Sequence, residues 1–172
     1  NPSPKRCSFY GMKKQLEKPE ITIGKIRAAI EKNNKPEFAV LARTEALIQG
    51  HGHEVALERA KMYTDAGCDG FLIHSKSKTP DEVMIFAEKY HAANIKTPLV
   101  CVPTTYNQVT LNELCNVGFS LAIYANYSIR ATVKVMQLMF AAMARQGTLS
   151  AGNEYAVPMK DIFDLIAVEE LQ

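Results

Sequence analysis

The sequence predicts an α/β protein built on parallel strands, and three observations carry that prediction. Four short runs are apolar nearly throughout: FAVLAR (38–43), GFLIH (70–74), PLVCVP (98–103) and FSLAIY (119–124). Their starts lie 32, 28 and 21 residues apart, which leaves room for a crossover helix between each pair. The segments between them have helical rather than alternating spacing, and such a chain of buried strands and helices forms a parallel sheet covered on both faces.

The elements follow in order. ITIGKIRAAIEK (21–32) places Ile23, Ile26 and Ile30 on one helical face, and the polar NNKPE then breaks the helix before the first strand. HEVALERAKMYTDAG (53–67) carries Ala56, Leu57, Ala60 and Tyr63 on one face, with Gly67 as its stop. PDEVMIFAEKYHAAN (80–94) opens with Pro80 in the first turn, where a missing N–H costs nothing. Thr110 and Glu113 have capping-box spacing ahead of a short helix, and SIRATVKVMQLMFAAMARQ (128–146) is a long helix, apolar nearly all round. Met136, Met139 and Met143 form a stripe on it that implies packing, within the chain or against another subunit.

Composition narrows the function classes. The 172 residues are 47% hydrophobic and 22% charged, enough apolar mass for one domain spanning 1–172. The net charge of +2 includes no long block of one sign, so no footprint for nucleic acid or an anionic membrane is present. No run approaches the roughly 20 apolar residues of a membrane span, and the opening NPSPKRCSFYG has no signal-peptide core. Cys7, Cys68, Cys101 and Cys115 form no C-x-x-C pair and are expected as reduced thiols in a cytoplasmic protein. A small-molecule or protein partner is expected.

A doubly wound sheet and a (β/α)₈ barrel share this local pattern, and periodicity alone leaves both open. No G-x-G-x-x-G or G-x-x-x-x-G-K-S/T follows a strand, which weighs against a nucleotide-binding sheet. In either fold ligands bind beyond the carboxyl ends of the strands. The polar residues there are Arg43, then His74 with Ser75, then Thr104 with Thr105, then Asn126. An arginine cannot shed its charge, and its planar fork suits a carboxylate or phosphoryl oxygen. The alternative is a structural ion pair between Arg43 and Glu45. His74, taken singly, is as readily a satisfied buried histidine; beside Ser75 it could share an anion held by Arg43. His51 and His53 look like a metal pair, but two ligands with no third nearby do not make a site.

LARTEALIQGHG, ALERAKMYTDAGCDGFLIHSK, VPTTYNQ and LAIYANYSIRATV, in that order, resemble the phosphoenolpyruvate mutase and phosphonopyruvate hydrolase branch of the isocitrate lyase superfamily. The discriminating parts are R-T-E-A-L-I-x-G and H-S-K, since lyases of the superfamily usually end the second of these strands on an acidic residue. The resemblance implies a (β/α)₈ TIM-type barrel, with this chain covering the second half, strands five to eight, plus the C-terminal helices. It implies a final helix (128–146) exchanged between subunits of a homo-oligomer, a dimer or tetramer. It also implies that Arg43 and His74 contact the phosphoryl or phosphonyl group of a 2-oxo acid or phosphonate substrate, with Ser75 beside them.

Residues 1–17 resemble the family's gating loop, in which Lys5, Arg6, Cys7 and Ser8 would close over the substrate. The family's E-D pair precedes that loop, so the carboxylates that hold Mg²⁺ are expected upstream of Asn1 and no metal ligand is expected within the chain. A whole barrel takes roughly 250 residues, and four strands alone would leave open edges and a bare apolar face. Cys7 departs from the pattern: mutases carry Asn there, hydrolases Thr, and the carbon–carbon lyases a general-acid Cys within K-K/R-C-G-H. Lys5 and Arg6 would lower its thiol pKa. The resemblance therefore implies a Mg²⁺-dependent enzyme making or breaking a C–P bond, the mutase reaction first and the hydrolase next. The alternatives are a Mg²⁺-dependent carbon–carbon lyase with Cys7 as acid and a non-catalytic half-barrel that only associates.

Overall fold

A computed structural model describes residues 15–33, 35 and 37–167. They form α1 (Pro19–Lys32), β1 (Leu41–Thr44), α2 (Gly52–Asp65), β2 (Gly70–Ile73), α3 (Asp81–Ala92), β3 (Leu99–Cys101), α4 (Leu111–Asn116), β4 (Phe119–Ala122) and α5 (Tyr127–Gln146), then a 3₁₀ segment (Leu149–Tyr155) and α6 (Met159–Leu165). By contact the chain divides into two compact units, one ending at Ala125 and the other starting at Asn126.

In the first unit all four strands lie in one parallel sheet in the order β1-β2-β3-β4. A doubly wound sheet reverses its order at a switch point. No reversal occurs here, so the strands wind in one direction. Helices α1 to α4 of this unit pack on one face of the sheet. Phe71, Ile73, Leu99, Cys101 and Phe119 pack there with Ile26, Ala56, Ala60, Tyr63, Phe86, Ala87, Tyr90 and Leu114. Phe71 is the hub, with ring centroids 6.3 Å from Tyr63, 6.0 Å from Phe86 and 5.9 Å from Tyr90.

On the other face Leu72, Val100 and Val102 cluster, with Ile123 and Ala125 against them. β2 and β3 are buried at every position, as their continuous apolar runs predict, while the edge strands β1 and β4 are more open. Leu41 and Leu121, at the two edges of this face, are 44% and 49% exposed.

Local chemistry accounts for the element ends. Gly67 follows α2 at φ +97°, a left-handed stop that suits a residue without Cβ. The Thr110 hydroxyl accepts from the Glu113 N–H at 3.2 Å while the Glu113 carboxylate accepts from the Thr110 N–H at 2.8 Å, the reciprocal cap its spacing predicted. The first strand begins at Leu41 and not at Phe38, which is 47% exposed. The reason lies at Asp69: its carboxylate accepts from the Val40 N–H at 2.7 Å and its own N–H donates to the Val40 carbonyl at 2.9 Å, so a side chain replaces the ladder there.

In the second unit, α5 packs against the 3₁₀ segment, where a Cβ on Gly152 would stand 3.0 Å from Met143 Sδ and 3.3 Å from Met139 Cγ. Ala142 is buried, whereas Ile129 and Phe140 are both 58% exposed. Among the described residues no helix is long and apolar enough to cross a membrane.

Gly118 lies between α4 and β4 at φ +92°, and a Cβ there would strike the imidazole of His91, whose Nε2 lies 3.1 Å from the Gly118 carbonyl. Gly118→Ala combines a strained φ with a ring clash, and urea unfolding should show a loss of about 2 kcal/mol.

Candidate active site

Register places the strand-end side chains. Arg43 pairs with Leu72, Leu72 with Val100 and Val100 with Leu121. Paired residues of parallel strands share a face, and the two-residue period returns His74 to the face of Leu72. Arg43 and His74 therefore stand together at the carboxyl ends of β1 and β2, on the face opposite α1 to α4. Ala42, Thr44, Phe71 and Ile73 alternate to the helix side.

Arg43 is anchored. Its Nη2 donates to Glu45 Oε1 at 2.6 Å, across side chains that are 32% and 2% exposed. A carboxylate this buried needs a compensating charge, and the guanidinium supplies it. The ion pair weighed from the spacing is present. It occupies one edge of the fork, and a guanidinium has five N–H donors.

His74 is buried beside this pair, and its imidazole is lowered to about 4, first by burial, then by the Arg43 charge, with Glu45 acting weakly the other way. At neutral pH the ring is uncharged. It offers one N–H donor and one acceptor, not a cation. Arg43, Glu45 and His74 are thus one electrostatic unit with zero formal charge.

Ser75 is fully buried, its hydroxyl donates to a Glu82 carboxylate oxygen at the start of α3, and it accepts from the Ser77 N–H at 2.9 Å. These bonds fix the β2–α3 loop at the end of β2. Glu82 is the residue the sequence reading passed over: its carboxylate takes Ser75 and its carbonyl lies 2.9 Å from His53 Nε2. Its one visible signal was an acid in the first turn of a helix. His53 is thereby a tie between α2 and α3, and His51 is exposed. Thr105 donates to the Ser75 carbonyl at 3.3 Å, tethering the β3–α4 loop to the end of β2.

Lys5, Arg6, Cys7 and Ser8 lie outside the described residues. Of the other cysteines, burial raises the Cys68 thiol and pushes Cys101 up to about 12, so both stay protonated, while Cys115 is exposed; none of the three forms a disulfide. Among the described residues no three His, Cys, Asp or Glu side chains converge on a metal position. They do not by themselves fit a divalent cation.

A family model described as phosphoenolpyruvate phosphomutase matches residues 9–144. The chain belongs to this family. The phosphoenolpyruvate phosphomutase family lies within the isocitrate lyase superfamily. The chain is 35% identical over 169 residues to the phosphoenolpyruvate phosphomutase of Streptomyces hygroscopicus, covering 98% of this chain and 53% of that protein. It is 37% identical over 163 residues to the phosphonopyruvate hydrolase of Variovorax sp. (strain Pal2), covering 93% and 54%. The crystal structure of a phosphoenolpyruvate phosphomutase from Streptomyces platensis subsp. rosaceus superimposes with a TM-score of 0.92 at 35% identity, over 99% of this chain and 58% of that one. The chain spans about half the length of the curated relatives it matches.

His74 also makes a pH prediction. Its folded value lies below the ordinary 6.5, so the unfolded chain takes up a proton first as pH falls. The stability tied to the neutral ring is complete above pH 6.5 and is lost between 6.5 and about 4, with a slope of up to about 1.4 kcal/mol per pH unit. Urea unfolding at steps from pH 7 to 4.5 should show this slope in the parent and a flatter one in His74→Gln.

Proposed function

We propose that this chain supplies the headgroup-binding wall of a Mg²⁺-dependent cytoplasmic enzyme that rearranges or cleaves a phosphoenolpyruvate or phosphonopyruvate substrate. Phosphoenolpyruvate mutase is the first reading and phosphonopyruvate hydrolase the next. The observation that carries it is the Glu45-anchored Arg43 sharing a sheet face with a neutral His74 at the carboxyl ends of parallel strands. Phosphoryl transfer through a metaphosphate-like state asks little covalent chemistry of the protein; it asks for donors fixed on the oxygens. Arg43, whose side chain is 32% exposed, would donate from its guanidinium. His74 would donate one N–H from an uncharged ring.

In this reading the four strands are the fifth to eighth of a (β/α)₈ barrel, and the face opposite α1 to α4 is its interior. The single winding order and the exposure of Leu41 and Leu121 support that. Mg²⁺ is part of the proposal as an ion whose ligands lie outside the described residues, and no step is assigned to it here. A homo-oligomer, dimer or tetramer, with α5 exchanged between subunits, is proposed from the open apolar surface of Ile129, Val133, Met136 and Phe140.

The second reading is a carbon–carbon lyase, favoured by Lys5-Arg6-Cys7, where a low-pKa thiol would protonate the departing enolate. Phosphorus NMR with phosphonopyruvate and Mg²⁺ separates the readings. Conversion to phosphoenolpyruvate marks the mutase and release of phosphate the hydrolase; no change overturns both. Arg43→Ala should reduce turnover by about 100-fold or more, the usual effect of losing a transition-state donor. Cys7→Ser should leave phosphonate turnover within about tenfold and would abolish it only if Cys7 were the essential acid.

A further inference from the structure

Thr104 lies three residues beyond the end of β3, the strand that pairs with β2. Directly after Val102, the Thr104 N–H donates back to the Val102 carbonyl at 2.8 Å, a tight turn over Pro103 that bends the chain off the line of β3. Val102 is the last residue on this strand of the face opposite α1 to α4. The following Thr105 reaches the carbonyl of Ser75, the neighbour of His74. The turn thus holds Thr104 beside the end of β2.

The Thr104 hydroxyl oxygen is buried and has no hydrogen-bond partner among the described residues, although the residue as a whole is only half-buried. A buried hydroxyl left unpaired is unfavourable by roughly 1–3 kcal/mol. Thr105 takes the Ser75 carbonyl, and the Tyr106 hydroxyl, packed in the helix-side core, is likewise buried without a hydrogen-bond partner. Threonine has a simple remedy. One staggered step about χ1 puts the methyl into the buried position and turns the hydroxyl out.

We propose that Thr104 supplies a third hydrogen bond to the tri-oxygen headgroup held by Arg43 and His74, its hydroxyl turning outward when the anion binds. This rests on the anion-binding reading of Arg43 and His74. An unpaired hydroxyl in the empty state is then a donor reserved for the ligand, and three donors at or beyond the ends of three successive strands address three oxygens.

The test titrates the full chain with methylphosphonate, which keeps the headgroup and lacks the oxo acid, and follows the phosphorus resonance. Thr104→Val, the isostere without a hydroxyl, should bind about tenfold more weakly, and Thr104→Ser should bind within about twofold of the parent. Without ligand, Thr104→Val should unfold at a higher urea concentration than the parent, because it removes an unpaired polar group. A Thr104→Val chain that binds like the parent while Arg43→Ala loses binding overturns the role of Thr104 and leaves the anion site standing. A Thr104→Val chain that loses stability also overturns it, since the hydroxyl is then structural. Unchanged binding in Arg43→Ala, or no binding by the parent, overturns the anion site and this inference together.

Discussion

A carboxylate that is 2% exposed at the end of a parallel strand sets the terms for its surroundings. Glu45 stays ionised in that position only with a cation against it, and removing the cation would strand a buried charge at a cost of about 3–5 kcal/mol. Arg43 is that cation, at 2.6 Å. A guanidinium on a long flexible stem would otherwise lose rotamer entropy each time it met a ligand. Here the ordering is complete before any ligand arrives. The same fixed charge helps keep His74 neutral, so one ion pair determines both the position of one donor and the protonation state of the other.

The sheet tolerates polar residues at this end because its opposite face carries the packing. β2 divides the two tasks by alternation: Phe71 and Ile73 enter the helix-side core at 0% exposure, while Leu72 and His74 face the other way. The ring cluster of Tyr63, Phe71, Phe86 and Tyr90 is closed by the Tyr90 hydroxyl donating to the Thr97 carbonyl at 2.9 Å. The loops are braced as well, with Ser75 on Glu82 and Thr105 on the Ser75 carbonyl. The apolar packing and the strand-end polar groups therefore use alternate residues of the same strands.

Much of this was readable in the sequence because it is local. The strands, the helices between them, the stop at Gly67 and the Thr110–Glu113 cap all follow from spacing and from single-residue preferences. What was not readable depends on facing and on long-range partners. Ser75 follows His74 directly, but its bonds to the Glu82 carboxylate and from the Ser77 N–H are not legible from that adjacency. Phe38 extends an apolar run, yet the partner that ends the ladder, Asp69, lies 29 residues after Val40. Which face α1 to α4 cover is not legible in strands whose residues are apolar on both sides.

The charge state of the strand-end trio bears on which chemistry it suits. A general acid or base works best with a pKa near the ambient pH. An imidazole lowered to about 4 is neutral at pH 7 and a poor proton donor, so proton transfer is not the task its surroundings favour. Burial is the first cause of that depression and the Arg43 charge the second, and a ligand anion would offset only the second. Moving a phosphoryl group needs no proton from the strand ends. Splitting a carbon–carbon bond does need one for the enolate, and among the described strand-end residues none is poised to give it. Under the lyase reading the whole burden would fall on Cys7, whereas under the phosphonate reading Arg43 and a neutral His74 already have the donors the reaction asks for.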